Sequence, residues 1–199
     1  MSKQVYISAD YDENGDKKVV EELVKWGQDN KHKVDFKDMS NPSSGSVVNT
    51  DDCRICDLKA EFNSQINASS AVIFVVGDMT KYRIAGNGCE RNSKEWWQCT
   101  CTPYKQNKNG AKNCKVYNIY TSSDGNVGNI NSFSYLRHEF EQAKKKGKPI
   151  IILYNSIRNE TSWLPSYMDG YEDDAHPFWK SENGKKVGDY EYIKEVLGF

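Results

Sequence analysis

One carboxylate stands out by its spacing. The stretch "YLRHEFEQAKKKGKPIIILYN" (135–155) reads as a helix followed by a strand. Glu141 has Lys145 four residues on, the usual arrangement for a solvated helical pair. Glu139 has Ala143 at i+4 and Tyr135 at i−4, and it lies beside the apolar stripe. The bland reading is a solvated helix residue. The sharper one is a carboxylate held for a ligand. Two polar loops hold other groups of interest. "SADYD" offers Ser8, Asp10 and Tyr11, and "KDMSNPSSG" offers Asp38, Ser40 and Asn41. These types also populate ordinary turns.

The cysteines are a separate matter. Cys53-x2-Cys56 has the spacing of metal ligands, and Cys89, Cys99, Cys101 and Cys114 could together supply four thiolates to one tetrahedral zinc. Free thiols in a reducing compartment are the default reading. "GNGCER" begins like a dinucleotide fingerprint but lacks its third glycine, and no GxxxxGK[ST] occurs.

The elements that would position these groups follow from periodicity. "VYISA" (5–9) and "KVDFKDM" (33–39) are strand-like. The fully apolar runs "AVIFVVGD" (71–78) and "PIIILY" (149–154) suit strands buried on both faces. Helical spacing covers 16–27 (Val19, Val20, Leu23, and Gly27 or Trp26), 54–67 (Leu58, Phe62, Ile66) and 133–146 (Phe133, Leu136, Phe140, Ala143), the last ended by Gly147 and Pro149. A final helix is expected over 189–197, with Asp189 as N-cap, Ile193, Val196 and Leu197 facing inward, and Gly198 after it. The β-α-β-α-β-α-β order predicts a doubly wound parallel sheet, with strand 5–9 between 33–38 and 71–76, and 149–154 beyond. It is read as a single α/β domain over 1–199. A long insertion, 81–131, separates the third strand from its helix, with a possible strand at 114–122. The tail, 156–199, is an aromatic, aperiodic extension ending in the last helix.

In such sheets ligands bind beyond the carboxyl ends of the strands, where strand order reverses. Glu139 is expected there, at most partly buried, at the mouth of a crevice bounded by Ser8–Tyr11, the 38–45 loop and the insertion.

Composition excludes some partners. Lys+Arg is 27 and Asp+Glu is 28 in 199 residues, so neither nucleic acid nor an anionic membrane surface is suggested. No apolar run approaches the ~20 residues of a membrane span. The N-terminal stretch lacks a signal-peptide pattern, and a cytoplasmic protein is expected.

Three blocks carry a family resemblance: "VYISADYD", "DLKAEFNSQINASSAVIFVVGDMT" and "FSYLRHEFEQAKKKGKPIIILYN". Together they resemble a TIR-like domain, closest to the TIR-like subunit of Thoeris antiphage systems. The family's third-helix pattern matches Tyr135, Leu136, Arg137, His138, Glu139 and Phe140, so its catalytic glutamate would fall on Glu139. Tyr135 stands where many members carry Trp. The resemblance implies a flavodoxin-like sheet and signal transduction or antiphage defence. It also implies hydrolase chemistry on NAD: cleavage of the nicotinamide–ribose bond, giving an ADP-ribose-type product. Nicotinamide leaves as a neutral molecule, so no general acid is needed, and one carboxylate can stabilise the oxocarbenium-like transition state. Ser8, Asp10, Tyr11, Asp38, Ser40, Asn41 and Tyr135 would hold the nucleotide. A homo-oligomer or TIR–TIR assembly is implied, with no cofactor beyond NAD as substrate. Two alternatives stay open: a non-catalytic TIR-like interaction module, and an N-glycosidic enzyme resembling nucleoside deoxyribosyltransferases.

Overall fold

The structure, a computed structural model, describes residues 3–10, 16–28, 34–38, 54–83, 106–107, 110–111 and 134–198. In chain order the elements are β1 (Lys3–Ala9), α1 (Asp16–Gln28), β2 (Val34–Asp38), α2 (Arg54–Ala68), β3 (Ala71–Val76), β4 (Gln106–Asn107), β5 (Gly110–Ala111), α3 (Tyr135–Lys145), β6 (Ile150–Tyr154), β7 (Ala175–Pro177), β8 (Trp179–Glu182), β9 (Lys185–Gly188) and α4 (Tyr190–Leu197). Short 3-10 turns lie at Thr80–Tyr82, Thr161–Trp163 and Ser166–Met168. The loop read at 40–52, the strand read at 114–122 and Phe133 lie outside the described residues, and so does most of the 81–131 insertion. Within the insertion, β4 and β5 pair as a short antiparallel ladder.

Five strands make one sheet in the order β2-β1-β3-β6-β7. Every neighbouring pair is parallel. The four strands read from sequence are all present, with β1 between β2 and β3 and with β6 beyond, as expected. The apolar runs explain this order. All six residues of β3 are buried, because the strand lies between two neighbours and both sheet faces are covered. Each large apolar side chain withdrawn in this way contributes about 1.5–3 kcal/mol.

Alternation sorts the strands into two rows. Val5, Ile7, Ala71, Ile73, Val75, Ile151 and Leu153 join one cluster with Val19, Val20, Leu23 and Trp26 of α1 and with Ile193 and Leu197 of α4. Tyr6, Ser8, Val72, Phe74, Val76, Ile152 and Tyr154 belong to the opposite row and are buried as well.

The tail is more ordered than its aperiodic sequence suggests. It supplies the fifth strand, β7, whose register sets Ile152 against Ala175 and Tyr154 against Pro177. Pro177 is tolerated because β7 is an edge strand. The next hairpin, β8–β9, turns on Asn183 (φ 50°) and Gly184 (φ 74°), the positive φ pair of a two-residue hairpin turn. It brings Phe178 against Trp26, with ring centroids 5.5 Å apart, and Tyr190 edge-on at 5.2 Å. Gly188 is required here: a Cβ would meet Trp26 at 2.6 Å and Phe178 at 2.9 Å.

The helix ends follow capping chemistry. Asp189 caps α4 by accepting from the Tyr192 N–H at 3.4 Å, and it also takes His176 Nε2 at 3.2 Å and Lys180 Nζ at 3.3 Å. Gly198 closes α4 in the left-handed region (φ 72°). Ile193 and Leu197 are buried as expected, but Val196 is 46% exposed. At ~100° per residue, Val196 falls about 90° from the middle of the Tyr190–Ile193–Leu197 stripe.

By compactness the chain divides into two units. One comprises Met1–Met39, Ala68–Arg83 and Ala143–Phe199, and holds the sheet, α1 and α4. The other comprises Ser40–Asn67 and Ile84–Gln142, and holds nearly all of α2 and the first two turns of α3. No described helix is long and apolar enough to cross a membrane.

Candidate functional site

In the helical unit, α3 starts two residues later than its spacing suggests. Ser134 is the reason: its Oγ accepts the Arg137 N–H at 3.0 Å, a standard N-cap. Glu139 is therefore the fifth residue of the helix, about 6 Å along its axis. At the far end, Lys148 N–H donates to Ala143 O and Gly147 N–H to Lys144 O, both at 3.0 Å, which satisfies the last carbonyls.

Two rows of α3 are buried, not one. Leu136, Phe140 and Ala143 form the apolar row. Beside it half-buried Tyr135 and buried His138, Glu139 and Gln142 follow i, i+3, i+4, i+7 spacing, and Tyr135, His138 and Gln142 meet α2. The Tyr135 ring packs edge-on against Phe62 at 5.6 Å. His138 Nε2 lies 2.9 Å from Asn63 Oδ1 and 3.2 Å from the Lys59 carbonyl oxygen. Gln142 Nε2 donates to Asn67 Oδ1 at 2.9 Å. Residue numbers rise together along this interface, so α2 and α3 run side by side in the same direction.

The chemistry of this row is specific. Both partners of His138 Nε2 are acceptors, which assigns the proton to Nε2 and leaves Nδ1 bare in the neutral ring. Burial, and then the nearby Lys59 ammonium, lower the His138 pKa to about 4, against the pull of the hydrogen bond to the Lys59 carbonyl. The imidazole is thus neutral at pH 7. Lys59 is fully buried (0% exposed), and His138 and Glu139 are each 5% exposed. So one short helix pair withdraws a lysine, a glutamate, a histidine and two amides from water.

Glu139 departs from expectation in two ways. It is buried, where at most partial burial was expected, because α3 is covered on two rows and not on one stripe. Nor is it a carboxylate without a partner within the fold. Its lack of an i±4 partner says nothing about groups that another helix brings. Glu141 is exposed, as expected.

Spacing could have shown the rest of the row. Lys59, Asn63 and Asn67 recur every four residues along the apolar stripe of α2, and His138 and Gln142 flank Glu139 at helical spacing. Polar residues repeating on the flank of a core stripe signal a buried polar interface.

In the sheet unit, strand order reverses at β1, so the switch point is the carboxyl end of β1 and β3. Ser8 is there, 2% exposed, and Asp10 follows it half-buried. Both interact within the fold. Past β3, the Gly77 N–H donates to Thr80 Oγ1 at 2.9 Å. Asp16, the first residue of α1, is only 3% exposed and comes so close that a Cβ on Gly77 would lie 2.6 Å from its Oδ1. Asn155, just after β6, donates Nδ2 to Asp16 Oδ1 at 3.2 Å and accepts from Trp179 Nε1 at 3.0 Å. Its own N–H donates to Val76 O at 2.9 Å. This stitching joins α1, β3, β6 and the tail at one edge. Tyr154, the last residue of β6, is fully buried (0% exposed), and its hydroxyl makes no hydrogen bond among the described residues. Its position at a strand's carboxyl end was the available signal. Asp16 had none beyond an acidic first turn.

Of the expected site residues, Ser8 and Asp10 belong to the sheet unit, and Glu139 and Tyr135 to the helical unit. Asp38 closes β2 opposite Ile7, but its side chain lies outside the described residues. Tyr11, Ser40, Asn41, Cys53, Cys89, Cys99, Cys101 and Cys114 lie outside them too, as does the side chain of Cys56. Among the described residues, no group of three or more His, Cys, Asp or Glu could hold a metal ion. Compared with known proteins, the chain matches no family model and no curated relative.

Proposed function

We propose that the protein is a TIR-like signalling or defence enzyme that cleaves the nicotinamide–ribose bond of NAD, with Glu139 as the catalytic carboxylate. The observation that carries this reading is a buried glutamate early in the helix that precedes the fourth strand of a 2-1-3-4 parallel sheet. A doubly wound topology is supported further by α2 and α3 running side by side in one direction. In the reaction the C1′–N bond breaks, its electron pair leaves with nicotinamide, and water or an internal hydroxyl attacks the ribosyl cation. Glu139 stabilises the developing positive charge, and it does so more strongly for being buried, where the effective dielectric is low. His138, held neutral, adds no second cation to the Lys59 ammonium buried on the same seam. NAD is the substrate, and neither metal nor further cofactor is invoked. On this reading the protein works in the cytoplasm and assembles as a homo-oligomer or through TIR–TIR contacts.

One observation favours a second reading, a non-catalytic TIR-like interaction module. A buried lysine, neutral histidine and paired amides also make a structural cross-link between two helices. Incubation with NAD and chromatography of the products decides between them. Wild type and Glu141→Gln should release nicotinamide, and Glu139→Gln should be slower by ~10²–10³ at unchanged circular dichroism. Near-wild-type turnover in the Glu139→Gln protein would remove Glu139 from the mechanism. Wild-type protein that releases no nicotinamide in any assembly state would leave the interaction module.

A further inference from the structure

The carboxyl end of β6 carries a second feature of functional interest. We infer that the Tyr154 phenol is a ligand-binding donor for an uncharged acceptor oxygen; resting on the NAD reading, that oxygen is the carboxamide or a ribose hydroxyl of the nicotinamide riboside half, and not a phosphate.

Four observations lead there. The hydroxyl is buried and makes no hydrogen bond among the described residues, whereas the large majority of buried side-chain polar atoms have a partner. A phenylalanine would fill the same space without leaving a donor unsatisfied, so the oxygen calls for an explanation. Its place is the ligand-binding edge of a parallel sheet: Tyr154 pairs with Val76, and Val75 with Ala9, so Asp10 follows at the same level two strands away. Ser8 and Tyr154 lie on the same sheet face, opposite the row packed against α1. The main chain beneath is fixed, since β6 is laddered to both β3 and β7 and Tyr154 O accepts the Phe178 N–H at 2.9 Å. A donor on such a support holds its geometry.

The local field selects the ligand's charge. Burial raises the Tyr154 pKa, and Glu172 and Glu160 push it the same way. The group therefore stays a phenol at physiological pH, a constant donor. Those carboxylates also disfavour a phosphate and tolerate the cationic pyridinium of nicotinamide riboside.

Tyr154→Phe removes only the oxygen. Thermal unfolding without ligand and calorimetric titration with nicotinamide riboside and with AMP, on wild type and variant, test the inference. The variant should melt higher, bind nicotinamide riboside about five- to tenfold more weakly, and bind AMP unchanged, the loss expected for one neutral hydrogen bond. Equal riboside affinities would overturn the inference, and so would a variant that melts lower or wild type that does not bind the riboside. Failure of the two readings is distinguishable. Riboside binding that depends on Tyr154, in a protein that releases no nicotinamide from NAD, upholds the inference and removes the catalytic reading. Turnover that depends on Glu139, with riboside affinity untouched by Tyr154→Phe, does the reverse.

Discussion

The sheet unit and the helical unit are held together by opposite means. In the first, Trp26, Phe178, Ile193 and the inner rows of the strands exclude water with side chains that are almost wholly apolar, the Trp26 N–H alone needing a partner and finding it in Glu22 Oε1 at 3.0 Å. In the second, the α2–α3 seam sets His138 on Asn63 and Gln142 on Asn67, with Lys59 and Glu139 buried nearby. Apolar packing is indifferent to pH and tolerant of small changes in geometry. A buried polar seam is neither, because each group withdrawn from water has to be satisfied within the protein. Glu139 is found in the second kind of region.

The contrast breaks most visibly if the apolar side loses an aromatic. Phe178→Ala should lower stability by about 3–5 kcal/mol, through lost burial and the cavity left against Trp26. Urea unfolding should show the same loss at pH 7 and pH 5, and a loss that grows with acid would contradict the assignment.

The polar side should respond to pH instead. His138 is protonated at about pH 4 in the fold and near 6.5 when unfolded. As pH falls from 6.5 towards 4 the unfolded chain takes up a proton that the folded chain refuses. The stabilisation is therefore whole above pH 6.5 and shrinks to nothing around pH 4, a total on the order of 3 kcal/mol. His138→Gln, which keeps a donor but cannot titrate, should flatten that slope in hydrogen-exchange measurements on α2 and α3. An unchanged slope would show that another group carries it.

The smallest of the three effects sharpens the apolar side from the other direction. Gly188→Ala adds one methyl within 2.6 Å of Trp26 and 2.9 Å of Phe178, and should cost about 1–3 kcal/mol. A melting temperature equal to wild type would mean that the aromatic cluster yields more readily than its spacing implies.

The two regions were also unequally legible. The sheet could be read because β3 and β6 are unbroken apolar runs, and a fully buried parallel strand has few other sequence signatures. Asp189 and Gly198 marked the ends of α4 because capping depends on neighbours in sequence. β7 was missed for the converse reason: Ala175–Pro177 is too short to show a period, and it is a strand because β6 offers it an edge. The Asn183–Gly184 turn is legible locally, since Asn-Gly is a strong two-residue hairpin signal. In the helical unit the apolar positions Phe62 and Leu136 were found, whereas His138, Asn63 and Lys59 were not, since their meaning lies in the pairing of two helices. Glu139 stands out in sequence by lacking a charged neighbour at i±4 along its own helix. That spacing holds, but the burial of the group was not visible in it.

The aromatic cluster around Trp26 has a consequence in time. Trp26 is made early and Phe178 about 150 residues later, so at ~5–20 residues per second the ribosome leaves the indole uncovered for on the order of ten seconds. Ile193 and Leu197, which complete the same core, emerge later still. From Trp26 until Leu197 is made, the nascent chain therefore carries this hydrophobic face half-built.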